Sequence, residues 1–258
     1  MGIKASLRKR LNPRVYAGLG RLRASLAPSR QTLPGPTRGE VLAEIGEPFA
    51  SALDSMYRGE EQRGYDGAHH ALDSLTRITP EKGVCLYRLC REMKPQATME
   101  VGCAYGFSTL FILAAHAANA TGSHVAIDPG ENLWWHGIGA TKVRDVGMER
   151  AFHLIEEPSV VAVPKLMTEG SRFDLTFIDG NHRFDDVLTD FTLSALVCSP
   201  GGIIVLDDMW MPSVRKAVSF IRRNRTDFSE MPAPDEGVCV FRRTGEDGRN
   251  WDHFEDFE

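Results

Sequence analysis

An α/β fold, with a doubly wound and mostly parallel sheet covered by helices on both faces, follows from three observations. From Ala97 onward, short apolar runs alternate with segments of helical periodicity. Each apolar run stops at glycine, serine or an acid: Gly102, Asp128, Ser159 shortly after the third run, Asp179 and Asp207-Asp208. The longest apolar run, Leu110 to Ala118, is far short of the roughly 20 residues a membrane-spanning helix needs.

The strands fall at 97–102, 123–128, 152–156, 173–179 and 201–206, and the helices between and after them at 107–120, 137–149, 160–168, 183–197 and 211–225. Val238 to Phe241 reads as a last strand. In the 183–197 helix, Phe184, Val187, Leu188, Phe191 and Ala195 share one face, with Asp185, Asp186 and Asp190 expected to face away. Such alternation implies right-handed crossovers, and ligands then bind beyond the carboxyl ends of the strands.

Upstream lies an N-terminal helical extension. Val41, Leu42, Ile45, Phe49, Ala52 and Met56 mark one helix face, residues 58–70 read as a polar loop, and Pro80 opens a helix running to about Met93. The chain therefore divides into a basic arm and Pro/Gly linker (1–39), a helical cap (40–95), the sheet domain (96–245) and an acidic tail (246–258).

Charge and cysteine content narrow the class. The net charge is −5, yet residues 1–30 hold eight Lys or Arg and no acid, so the rest sums to −13. An acidic body does not suit nucleic acid as substrate. In the arm, Leu7, Leu11, Val15, Leu19 and Leu22 recur at near-helical spacing, which fits a weak membrane-surface contact as well as a solvated tail. Five cysteines without a Cys-x-x-Cys pair argue against a disulfide scaffold or zinc knuckle and fit a cytoplasmic protein, peripheral to the membrane if the arm docks. Among soluble oligomers homodimers are the commonest assembly, and this chain could form one.

The first strand runs into Glu100-Val-Gly-Cys-Ala-Tyr-Gly-Phe-Ser108. Gly102 and Gly106 permit a tight turn with backbone close to a ligand, and Ser108 can cap the next helix. The G-x-x-x-G spacing, with bulky Tyr105 inside, differs from the G-x-G-x-x-G that receives a pyrophosphate. Asp128 ends the second strand, where a carboxylate can accept both hydroxyls of a ribose, although an Asp before Pro129-Gly130 also suits a plain turn. A nucleoside without a diphosphate points to S-adenosylmethionine.

These residues, with the Pro80 helix and Phe177-Ile-Asp-Gly180, resemble the class I, Rossmann-like S-adenosylmethionine-dependent methyltransferases over about residues 76–225. The likeness is closest to the metal-dependent O-methyltransferases, the catechol, caffeoyl-CoA and sugar enzymes. It implies a seven-stranded sheet, with Glu100, Gly102, Tyr105, Gly106 and Ser108 along the methionine end of the cofactor. Asp128 would hold the ribose, Ser159 would lie near the adenine, and Asp179 would border both cofactor and acceptor.

Asp179 ends the fourth strand and Asp207-Asp208 the fifth, so parallel neighbours bring three carboxylates together. Such acids repel unless a cation lies among them, and hard oxygen donors suit Mg²⁺ or another divalent ion. The resemblance supports Asp179, Asp207 and Asp208 as metal ligands, though Asp207-Asp208 could instead only cap the next helix. Where the catechol-type enzymes carry Lys three residues after the first metal Asp, this chain has His182, expected to be the general base. Trp134-Trp135-His136 and Trp210 border the expected acceptor pocket, while His69-His70 reads as a loop dipeptide. The expected activity is methylation of a hydroxyl on a small molecule or glycan unit. The rivals are a metal-free N- or carboxyl-methyltransferase, a dinucleotide oxidoreductase, and a non-catalytic docking protein with a relic pocket.

Overall fold

The structure, a computed structural model, describes residues 37–233 and 235–258. The basic arm, its membrane contact and most of the Pro/Gly linker lie outside the described residues. The elements begin with helices α1 (Arg38–Ala43) and α2 (Phe49–Tyr57), strands β1 (Gln62–Arg63) and β2 (His69–His70), and α3 (Pro80–Met93). Then come β3 (Ala97–Val101), α4 (Phe107–Asn119), β4 (Ser123–Ile127), α5 (Ile138–Asp145) and β5 (Phe152–Ile155). The last are α6 (Ser159–Thr168), β6 (Phe173–Ile178), α7 (Phe184–Val197), β7 (Cys198–Leu206), α8 (Pro212–Asn224), β8 (Phe228–Met231) and β9 (Cys239–Arg243).

Seven strands form one sheet in the order β5-β4-β3-β6-β7-β9-β8, parallel except that β9 runs against both its neighbours. The chain winds outward from β3 to β5, then resumes on β3's other side at β6. That reversal opens a crevice at the carboxyl ends of β3 and β6.

The period-2 alternation of the strands divides the core between two faces. Leu175, Phe177, Ile203, Val205, Val238 and Val240 pack beneath α1 to α5. Their alternates Ile178, Ile204, Leu206, Cys239 and Phe241 pack beneath α7 and α8. Met99 and Ile127 join α6. Helix α4 is apolar nearly all round because it lies between the sheet and α3.

Several boundaries differ from the sequence-based expectation. The single helix read across 41–56 is two, separated at Gly46-Glu47-Pro48, where Gly46 takes φ +72°. The loop 58–70 contains the antiparallel β1–β2 pair, with Gln62 opposite His70. The 137–149 helix ends at Asp145, and β8, too polar to show an apolar run, was not expected. Apolar residues of the 40–95 segment share one core with the sheet. No helix among the described residues is long and apolar enough to cross a membrane.

Candidate active site

A cavity of about 690 Å³ lies along the carboxyl edge of β3, β4, β6 and β7. Its floor is the β3–α4 turn. Gly102 sits at φ +96°, and a Cβ there would run into the carbonyl oxygen of Asp179, so only glycine lets β3 leave the sheet over the end of β6. Gly106, at φ +84°, starts α4 against Gly139.

Asp128 ties this turn to β4. Its Oδ2 accepts the backbone N–H groups of Cys103 (3.0 Å) and Ala104 (2.9 Å), and its Oδ1 accepts that of Gly130 (2.7 Å). Burial pushes its carboxyl up, and those three donors counter the rise. Asp128 still lines the cavity, as do Gly102, Tyr105, Ser108, Ser159 and Asp179.

Glu100 does not. It is wholly buried behind the turn, accepting the Ser108 hydroxyl (2.6 Å) and the Thr109 hydroxyl, with His124 Nε2 3.1 Å away. It holds Ser108 in place instead of lining the methionine end, because strand alternation points it away from the cavity. Tyr105 stands edge-on to Trp135 at 5.2 Å, and its hydroxyl oxygen accepts the Asp73 N–H at 3.4 Å.

At the far end Ser159 donates to Asp190 Oδ1 at 2.5 Å. Asp190 was expected on the solvent face of its helix, yet it is 5% exposed and borders the cavity. Burial pushes its carboxyl up to about 6. Asp190 falls three residues after Val187 and four before Ser194, both buried, and so lies on the inner face of α7.

The chemical end gathers Asp179, His182, Asp207 and Asp208, as expected, and adds a residue that sequence reasoning missed. Lys82 on α3 is 6% exposed, and its ammonium contacts Asp207 Oδ1 and lies 3.4 Å from Asp208 Oδ1. Its mark in the sequence is its position four residues before Leu86 and eight before Cys90, on the buried stripe of α3. His182 Nε2 stands 3.0 Å from Asp208 Oδ2 and 3.4 Å from Asp179 Oδ1. Trp210 Nε1 donates to Asp208 at 2.9 Å. Asp208 itself sits at φ +56°, a left-handed conformation uncommon outside glycine and frequent at functional sites.

Burial opposes a charged His182, but the two carboxylates prevail and push it up to about 10. This arrangement favours the charged imidazole as a hydrogen-bond donor to both carboxylates, whereas the general base expected at this position acts in its neutral form. Burial raises Asp179, while His182 and Lys82 overcome burial to hold Asp208 well below the usual carboxylate range.

Whether a divalent ion suits this cluster depends on which oxygens are open. Donor atoms of Asp179, His182 and Asp208 lie within 4.8 Å of one another, but His182 Nε2 bonds both carboxylates. Asp207 is taken by Lys82. Two chain cations, Lys82 and His182, thus already stand against the expected set of Asp179, Asp207 and Asp208.

At the cavity mouth, the β1–β2 hairpin is pinned to the Trp134–Gly137 segment. His70 and His136 stack with ring centroids 3.8 Å apart and 4° between planes, and the Tyr65 N–H donates to the His136 carbonyl at 2.9 Å. Two motifs distant in sequence thus pack together, and of the stacked pair His136 lines the cavity.

Residues 99–209 match a family model described as a methyltransferase domain. Over those residues the chain is similar to methyltransferase domains. Its sequence is 24% identical over 152 residues to a flavonoid 3',5'-methyltransferase of Vitis vinifera, covering 57% of this chain and 62% of that protein. Over 88 residues it is 40% identical to uncharacterized protein R132 of Acanthamoeba polyphaga mimivirus, covering 32% and 40%. The chain thus spans less than two thirds of either relative. The O-methyltransferase TomG from Streptomyces achromogenes, solved in complex with SAM, superposes with a TM-score of 0.56 at 16% identity, over 91% of this chain and all of TomG. At that identity the likeness speaks to fold, and the methyltransferase fold is the one described above.

Proposed function

We propose that the chain transfers a methyl group from S-adenosylmethionine to a hydroxyl oxygen of a small molecule or glycan unit. The observation that carries this is the continuity of a single cavity from the Gly102–Ser108 turn and Asp128 to the Asp179–His182–Asp208 cluster. Its volume falls in the range of ligand pockets, and its floor offers backbone and a ribose acid but no phosphate cradle.

In this reading Asp128 holds the ribose hydroxyls, Ser159 and Asp190 border the adenine, and Tyr105 and Ser108 border the methionine portion. When bound, S-adenosylmethionine supplies an electrophilic methyl group on a sulfonium centre. The chain's residues hold the acceptor oxygen in line with that carbon and take its proton. Asp179, raised by burial, is the group suited to receive the proton. The imidazolium of His182 keeps Asp179 and Asp208 in place. Trp134, Trp135 and His136 line the cavity and offer stacking faces to a sugar or aryl acceptor.

Titration calorimetry with S-adenosylmethionine and S-adenosylhomocysteine tests the reading. Saturable binding of either, weakened at least about tenfold (about 1.4 kcal/mol) by Asp128→Ala, is expected. No binding of either would overturn it. A divalent ion is the rival refinement, favoured by the proximity of the Asp179, His182 and Asp208 donor atoms. Binding and turnover unchanged after EDTA treatment would remove it, and loss restored by Mg²⁺ would establish it.

A further inference from the structure

We propose that Lys82 is the resident cation of this site: its ammonium, and not a divalent ion, compensates Asp207 and Asp208 at the end of β7. Three elements converge to put it there. Helix α3 starts with Pro80 and the Thr79 cap, whose hydroxyl accepts the Lys82 N–H at 3.3 Å. The next residue, Gly83, lets α3 press against the Phe111 ring of α4, since a Cβ at Gly83 would enter that ring. This close approach fixes the rotation of α3 and aims Lys82 at the sheet edge. Gly237, between β8 and β9, closes the third side; a Cβ there would lie 2.5 Å from Lys82 Cε. The Gly237 carbonyl also accepts the Met209 N–H at 3.0 Å, joining that turn to the residue after the acid pair.

The stem is thus packed against the Gly237 turn, and the ammonium rests on the acid pair. A dication on Asp207 and Asp208 would stand within a few ångströms of that ammonium, in a setting of low dielectric where like charges repel strongly. The acid pair therefore takes its charge compensation from the chain. Lys82 also lines the cavity. Resting on the methyltransferase reading, its charge lies where an acceptor oxygen gains negative charge as its proton leaves, which favours phenol-like or sugar hydroxyls over amines.

The test is Mn²⁺ binding to the full chain, counted as free Mn²⁺ by electron paramagnetic resonance. Wild type and Lys82→Arg should show no saturable binding in the micromolar range. Lys82→Met, with both acids released, should bind at least about tenfold tighter than wild type. Saturable micromolar binding by wild type that Asp207→Asn weakens overturns the proposal, as does a folded Lys82→Met that gains no affinity. Should Lys82→Met fail to fold, wild type against Asp207→Asn decides, with matching non-saturable titrations in support. Mn²⁺ counting requires no S-adenosylmethionine, so its outcome is separate from that of the methyltransferase reading.

Discussion

At the scale of single residues, the cluster's chemistry depends on charge states that neighbours impose. His182 has an ordinary pKa near 6.5 and a folded value pushed up to about 10. The sign follows: its pairing with Asp179 and Asp208 contributes full stability below about pH 6.5 and loses it as pH rises through 10. Wild type should therefore melt well above His182→Gln at pH 6, and the gap should narrow by pH 10, measured by calorimetric scans of both proteins. If His182 is the base, turnover should climb as pH rises toward 10. At Gly102, alanine must adopt φ +96° and meet the Asp179 carbonyl. Backbone strain alone costs about 1–3 kcal/mol. Gly102→Ala should lower the melting temperature and abolish nucleoside binding together, read by thermal shift and calorimetry.

At the scale of elements, α3 shows why a helix can be recognised while its role is not. Pro80 at the first turn, the Thr79 cap and the Leu86–Cys90 stripe all mark a helix in the sequence. The same stripe extends back to Lys82, but spacing alone says only that this side chain faces inward, not which acid it meets. Gly83→Ala tests the packing that aims it. Alanine gains about 1 kcal/mol of helix propensity over glycine, but forcing a methyl into the Phe111 ring costs about 1–3 kcal/mol. A net loss of stability is expected by urea denaturation, with weakened pairing of Lys82 as its consequence. In α7, likewise, Asp185 is exposed as expected, yet Asp186 borders the cavity and Asp190 turns in to Ser159. A carboxylate on a helix reads as a solvent residue until the partner that neutralises its burial is known.

At the scale of the whole molecule, the C-terminal tail packs back onto α7 and α8. Residues after β9 return along α8, where Asn224 Nδ2 donates to the Glu255 carbonyl (2.9 Å) and its Oδ1 accepts the Glu255 N–H (2.8 Å). Phe257 then stacks on Phe184 at 6.3 Å and meets Phe220 edge-on at 5.2 Å. Phe184 opens α7 two residues after His182. Deleting residues 251–258 should remove about 0.5–1.5 kcal/mol per aromatic pair and lower the melting temperature. Nucleoside affinity should stay within about twofold, because the Asp128 end of the cavity is built from other elements.

The sequence by itself determined the alternation of strands and helices, the glycine turn after β3 and the acids at the ends of β4, β6 and β7. Those are local: period-2 and helical patterns, turn chemistry and punctuation are written within a few neighbouring residues. Tertiary structure alone decided which cation meets those acids and that His70 stacks on His136. Lys82 and Asp207 lie 125 residues apart. Only the rotation of α3 against α4 and the order β3-β6-β7 place one beside the other, and no local pattern encodes that meeting.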